Sequence, residues 1–199
     1  MKWKIKFIKA TIYVVLFFFD LPLSAQTFFG LHLEPITYLA NVEKVQYNPN
    51  AKTKELSIEG NLGITFSLTH YTDEKIGISL RPGIMLGYIY FGYDLVLFWA
   101  YQLDSDMYVM SGINGHFNLG RAASNSALGK SLLFPFLVVG GGYKISEGFL
   151  AEIQFNLSLK NETYGWIRNM EGAPTYKTEW NYYQVPWLIK VSLAHKFEI

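Results

Sequence analysis

The sequence contains no cysteine. That single absence excludes a disulfide framework, a thiolate metal site, a cysteine nucleophile and an acylated N-terminal cysteine anchor, so stability must come from hydrogen bonding and burial. Charge is scarce too: Asp, Glu, Lys and Arg make up 17% of the chain, against about 25% in ordinary soluble domains. The formal charge of +1 conceals a slight acidic excess in the body. Lys2, Lys4, Lys6, Lys9 and Asp20 lie in the first 25 residues, and without them 13 basic and 15 acidic residues remain, a net charge of −2. No basic patch is left that would point to nucleic acid. At 199 residues the chain is too short for two well-cored domains, and one is expected. What the chain has in quantity is rings, with 15 Phe, 14 Tyr and 5 Trp. Aromatic side chains favour pleated strands and membrane interfaces, where a flat ring sits half wet.

Residues 1–25 have the layout of a signal peptide: a Lys-rich start, an apolar run over 10–19, and a small-residue end at Leu23-Ser24-Ala25 before Gln26. The apolar run falls well short of the ~20 residues that a membrane-spanning helix needs, so a cleaved address is expected rather than a retained anchor. That leaves 26–199 as the mature domain.

The body alternates at period two. From Ile58 to His70, Ile58, Leu62, Ile64, Phe66 and Leu68 share one parity, while Glu59, Asn61, Thr65, Ser67 and Thr69 share the other. Successive side chains of a strand point to opposite faces, so one face is greasy and the other polar or small. The split returns over 149–160 and again over 182–197, where Tyr183, Val185, Trp187, Ile189, Val191 and Leu193 oppose Gln184, Pro186, Leu188, Lys190, Ser192 and Ala194. Strands of soluble sandwiches typically run about 5 to 6 residues, whereas tilted membrane strands need about 9 to 11. The same rule predicts eight strands, near 27–40, 56–70, 76–91, 94–103, 107–119, 132–145, 148–160 and 182–197. Short connectors (71–75, 104–106, 146–147) alternate with long polar ones (41–55, 120–131, 161–181), apart from a tight link at 91–94, as periplasmic turns alternate with outer loops. A helix over 84–101 is disfavoured by Asp94, two glycines and many β-branched or aromatic residues. In lipid every backbone N–H and C=O must be paired within the protein, so the sheet is expected to close. The predicted fold is all-β: an eight-stranded antiparallel up-and-down transmembrane β-barrel following a signal peptide.

With its signal segment, outward-apolar alternation and C-terminal strand 182–197, the chain resembles the small bacterial outer-membrane barrels of the OmpA/OmpX type and the wider porin-like families. The resemblance implies an outer-membrane location, contact with membrane lipid, and delivery by the barrel assembly machinery. Such families commonly end on an aromatic residue; here Phe197 is followed by Glu198 and Ile199.

An eight-stranded interior is just wide enough for side chains to fill. The inward parity holds His32, Glu34, Glu59, Asn61, Arg81, Glu152, Gln154, Asn156, Gln184 and Lys190. Equal depth on neighbouring strands pairs Glu34 with Lys190, and Arg81 with Glu152 across the lumen. We expect a polar lumen cluster of Glu34, Glu59, Arg81, Glu152 and Lys190, since unpaired charges there would be costly. Aromatic belts are expected from Phe28, Phe29, Tyr71, Tyr101, Tyr108 and Phe197 at the periplasmic rim, and from Tyr38, Tyr90, Trp180 and Tyr183 at the outer one.

No chemistry stands out. His32, His70, His116 and His195 lack metal-ligand spacing, Gly129-Lys130-Ser131 lacks the upstream glycine of a phosphate loop, and Gly140 to Gly142 lacks dinucleotide spacing. No metal or cofactor is expected. Some barrels of this size modify lipid A with a His and a Ser, but His116-Phe117-Asn118 does not match the His-x-Ser-Asn pattern of the deacylases, and Ser124 and Ser126 lie further along. The leading expectation is a non-enzymatic barrel with an envelope-structural or adhesin-like role, an extracellular ligand being met through 41–55 and 161–181. A narrow porin and a lipid A-modifying enzyme are the alternatives.

Overall fold

The computed structural model describes residues 27–45, 52–87, 91–119, 133–160, 164–170 and 177–198; the signal segment, Tyr90, Ser124, Ser126 and the core of the 120–131 connector lie outside them. Nine strands follow one another: β1 (Thr27–Val45), β2 (Lys52–Tyr71), β3 (Ile76–Leu86), β4 (Gly92–Gln102), β5 (Met107–Asn118), β6 (Leu133–Ser146), β7 (Phe149–Ser158), β8 (Tyr164–Met170) and β9 (Lys177–Glu198). All described pairings are antiparallel. β7 and β8 both pair with β9, at different heights, so together they make one stave and the wall has eight. The first and last strands join from Phe28↔Glu198 up to Val45↔Trp180. That seam removes the sheet's free edges within the membrane, which lipid requires.

The greasy parity faces out. Phe66, Trp99, Ile113, Leu137, Ile153 and Leu193 lie between 44% and 57% exposed unless lipid covers them, while their polar neighbours are inside. β4, apolar on both parities, is explained by the lumen: Val96, Phe98 and Ala100 point inward with Tyr108, Met110 and Val138 into an apolar cluster of their own. A second cluster, with Ile36, Tyr38, Met85, Phe136, Val185 and Leu188, fills the other end. Gly142 on β6 makes the lower cluster possible, because a side chain there would run into the Tyr108 ring. Gly148, at φ +81°, supplies the left-handed residue of the tight β6–β7 turn.

Three expectations change. The predicted long connectors 41–55 and 161–181 are largely strand, since β1 runs on to Val45, β2 begins at Lys52, and β8 and the start of β9 occupy most of the rest. A 19-residue strand is about 60 Å long and, at a tilt of about 40°, rises about 48 Å, roughly twice the height of a membrane's apolar band. β1, β2, β8 and β9 therefore rise beyond the rim as a sheet ordered β2-β1-β9-β8. Second, the parity of β9 breaks at Pro186. The β1–β9 ladder slips between Leu39/Trp187 and Asn41/Gln184, which turns Val185 into the lumen at 5% exposure and leaves Gln184 beside the exposed Asn41. Proline has no N–H to give the ladder and is accommodated at such a bulge. Third, the aromatic belts are partial. Phe29, Tyr101 and Phe197 face out, but Tyr38 and Tyr108 are buried in the lumen.

Candidate functional site

The lumen holds two ionic layers between the apolar clusters. In the lower one, Arg81 of β3 grips Glu152 of β7 with both terminal nitrogens, at 2.5 and 2.9 Å. Tyr108 of β5 donates its hydroxyl to the same carboxylate. His32 Nδ1 lies 3.5 Å from it on the β1 side, with Ser67 Oγ 2.8 Å from Nε2 and Ser192 Oγ 3.2 Å from Nδ1. Arg81 Nε donates to Ser79 Oγ at 3.2 Å, and its guanidinium sits 4.7 Å from the centre of the Phe98 ring.

The upper layer is centred on Lys190 of β9. Its ammonium donates to Asp94 of β4 at 2.6 Å and to Glu34 of β1 at 3.4 Å. Thr65 donates to the second Glu34 oxygen at 3.0 Å. His116 Nδ1 donates to Asp94 at 2.5 Å, and Asn114 Nδ2 reaches Asp94 at 3.0 Å and Asn156 at 3.3 Å. Every ionisable group in both layers is at most 8% exposed. Alternation explains why they are all here: each occupies the inward parity of its strand, facing a water-excluded space where a charge is tolerated only with its counter-charge.

Of the predicted cluster, Glu34 and Lys190 stand in one layer and Arg81 and Glu152 in the other. Glu59 joins neither; it is half-buried on the part of β2 that rises past the rim and accepts a bond from Ser57 at 2.7 Å. Sequence reasoning missed Asp94, Tyr108 and Asn114, and gave His116 no partner. Asp94 was read as the edge of a strand, although it shares its parity with the inward Val96 and Phe98. Asn114, His116 and Asn118 alternate with Ile113 and Phe117, a polar row that was there to be read.

Below the lower layer, at the short-turn end, the lumen opens into a vestibule of about 990 Å³ lined by Phe28, Tyr71, Tyr108, Lys144, Leu150 and Lys196 among others. The Lys196 ammonium rests 3.6 Å over the Phe28 ring and 5.1 Å from that of Tyr71. Between the vestibule and Arg81 a gap of about 20 Å³ remains, room for one water. Above the upper layer, Ile36, Tyr38, Phe136 and Leu188 are 0 to 2% exposed. The described lumen is thus a cup closed by two ionic tiers and an apolar lid.

No family model matches the chain, and no curated protein matches it in sequence. Among solved structures it is similar to the crystal structure of the outer membrane protein OprG from Pseudomonas aeruginosa, at 17% identity over 86% of this chain and 96% of that one, with a TM-score of 0.46. The chain's own geometry is specific: an eight-stave antiparallel wall closed on itself, greasy outside and filled inside. That is the architecture of a small outer-membrane barrel.

Proposed function

We propose that this protein is a non-enzymatic outer-membrane barrel whose filled lumen anchors a surface-binding sheet outside the membrane. The observation that carries this reading is the edge of β2. The β2–β3 ladder reaches no higher than Leu62↔Leu86, and among the described residues the stretch from Lys52 to Gly60 has a ladder on one side only, with β1. On it Leu56 and Ile58 are 62% and 74% exposed, the highest values of any large apolar side chain described. An unpaired edge with apolar side chains is a template for one more strand, and extended polypeptides are bound in this way. Lys44 and Glu55, bridged at 2.6 Å, hold that edge to β1 near its tip.

The filled lumen argues against the porin reading, because among the described residues the side chains of the two ionic layers and the apolar lid are buried against one another. His116 is fully buried, away from any lipid substrate, which argues against the enzymatic one. The test compares cells lacking the protein with cells carrying the wild type or Leu56→Lys with Ile58→Lys. Adhesion to protein-coated surfaces should fall to the level of the deletion in the double variant, with heat-modifiable gel mobility unchanged. Unit conductance steps in planar bilayers, or a lipid A mass that depends on the protein, would instead favour one of the alternatives.

A further inference from the structure

One polar side chain stands on the lipid face of the wall without a protein partner. His195 follows Val191 and Leu193 on the outward parity of β9. Its ring is wedged between Phe149, edge-on at 4.6 Å, and Phe197 at 4.2 Å. Nδ1 is sealed from solvent with no hydrogen bond, and among the described residues neither ring nitrogen has a partner. An imidazole left unpaired against hydrocarbon is costly, and an ionisable residue at such a place calls for a named partner.

A groove of about 280 Å³ begins at this ring, walled by Leu31, Leu33, Ile64, Phe149 and Leu193. The ladder pairs Leu31 with His195 and Leu33 with Leu193, so the groove climbs the closing seam from His195 towards the membrane interior. It is continuous with the apolar outer belt, and its walls are almost wholly apolar, with the His195 ring at one end. An acyl chain fits the first property, and the glycerol ester at the head of that chain fits the second. His195 lies close to the periplasmic end of β9, where the glycerol esters of that leaflet lie.

We propose that this seam is a binding site for one diacyl phospholipid of the periplasmic leaflet, its chain in the groove and an ester carbonyl accepting a hydrogen bond from His195 Nε2, the ring nitrogen that is not sealed. The lipid then packs across β1 and β9 and covers the joint that closes the barrel. The proposal is independent of what the outer sheet binds.

The test counts lipids on barrels reconstituted in dioleoyl phosphatidylethanolamine vesicles, extracted in mild detergent and weighed by native mass spectrometry. Wild type should retain one lipid, and Leu193→Trp, which fills the groove, should retain none; Leu33→Phe supplies the same block if that variant fails to fold. His195→Phe should hold the lipid roughly fivefold less well, and a dialkyl ether analogue, which has the phosphate but no ester carbonyl, should bind the wild type with a similar deficit. No retained lipid on wild type, equal retention on the groove-filled variants, or ether and ester lipids held alike would each overturn the site and leave only annular lipid.

Discussion

Replacing Lys190 with Met removes the cation that serves two carboxylates at once while keeping the volume of its stem. Lys190 is fully buried, 2.6 Å from Asp94 and 3.4 Å from Glu34. At an effective dielectric of about 20 those separations correspond to attractions of about 6 and 5 kcal/mol, most of which desolvation cancels. What survives is the asymmetry: deleting one partner strands the other charges in a dry lumen, and this costs about 3–5 kcal/mol. Urea unfolding of vesicle-embedded barrels, followed by tryptophan fluorescence, reads that loss as a lower midpoint at an unchanged slope. Adding Asp94→Asn should return part of it, because the second substitution removes the charge that the first left unpaired; the coupling should lie at about 0.5–3 kcal/mol. A Lys190→Met barrel within about 0.5 kcal/mol of wild type, or a double variant whose losses simply add, would refute the account of the upper layer.

Three further outcomes follow from the same structure. Arg81→Met strands Glu152 and should destabilise the barrel by a similar amount, yet planar bilayers should remain silent, since the upper layer and its lid still close the lumen; unit steps from this variant would mean that Arg81 alone is the gate. Gly142→Leu drives a side chain into the Tyr108 ring and should cost about 1–3 kcal/mol, seen as a lower temperature for the heat-modifiable band; an unshifted band would show that the ring is free to move aside. Asp73, in the exposed β2–β3 turn, is held below the usual carboxylate range by the amides of Ile76 and Lys75, which donate to it. A depressed carboxylate stabilises the turn at pH above its unfolded value and loses that contribution as pH falls through the lowered one. The Ile76 amide shift should therefore titrate below the ordinary Asp range, and a midpoint at or above that range would contradict the turn geometry.

The wall was legible because lipid outside and a crowded lumen inside impose opposite demands on alternate residues. The same reasoning explains where reading failed. Above the rim the β2-β1-β9-β8 sheet leaves the membrane, and 41–55 and 161–181 carry polar residues on both parities, so they look like solvated loops. β4 misleads in the opposite direction, since its inward face meets the Phe98 cluster rather than the polar layers. Pro186 hides a bulge, and a bulge inverts the parity of everything beyond it, which carried Val185 and Gln184 to the wrong sides. Glu59 was placed with the lumen charges by its parity alone; depth, which depends on how far β1 and β2 overshoot the membrane, put it outside their reach.

The ionic layers also bear on how the seam finds its register. Glu34 and Lys190 are 156 positions apart and Arg81 and Glu152 are 71 apart, and Arg81–Glu152 and Lys190–Asp94 each tie strands that are not neighbours in the wall. A slip of β9 by one residue against β1 and β7 would keep most backbone hydrogen bonds, so the ladder alone discriminates weakly; side chains must do it. The slip would turn Lys190 to the hydrocarbon, where a lysine at mid-depth costs about 2–4 kcal/mol, and would leave Asp94 and Glu34 facing each other without their cation. It would also swing Ile189 and Val191 into a lumen built for polar neighbours. Both penalties fall on the last strand to pair, so a charge that looks expensive in the finished barrel is what makes the wrongly closed barrel more expensive still.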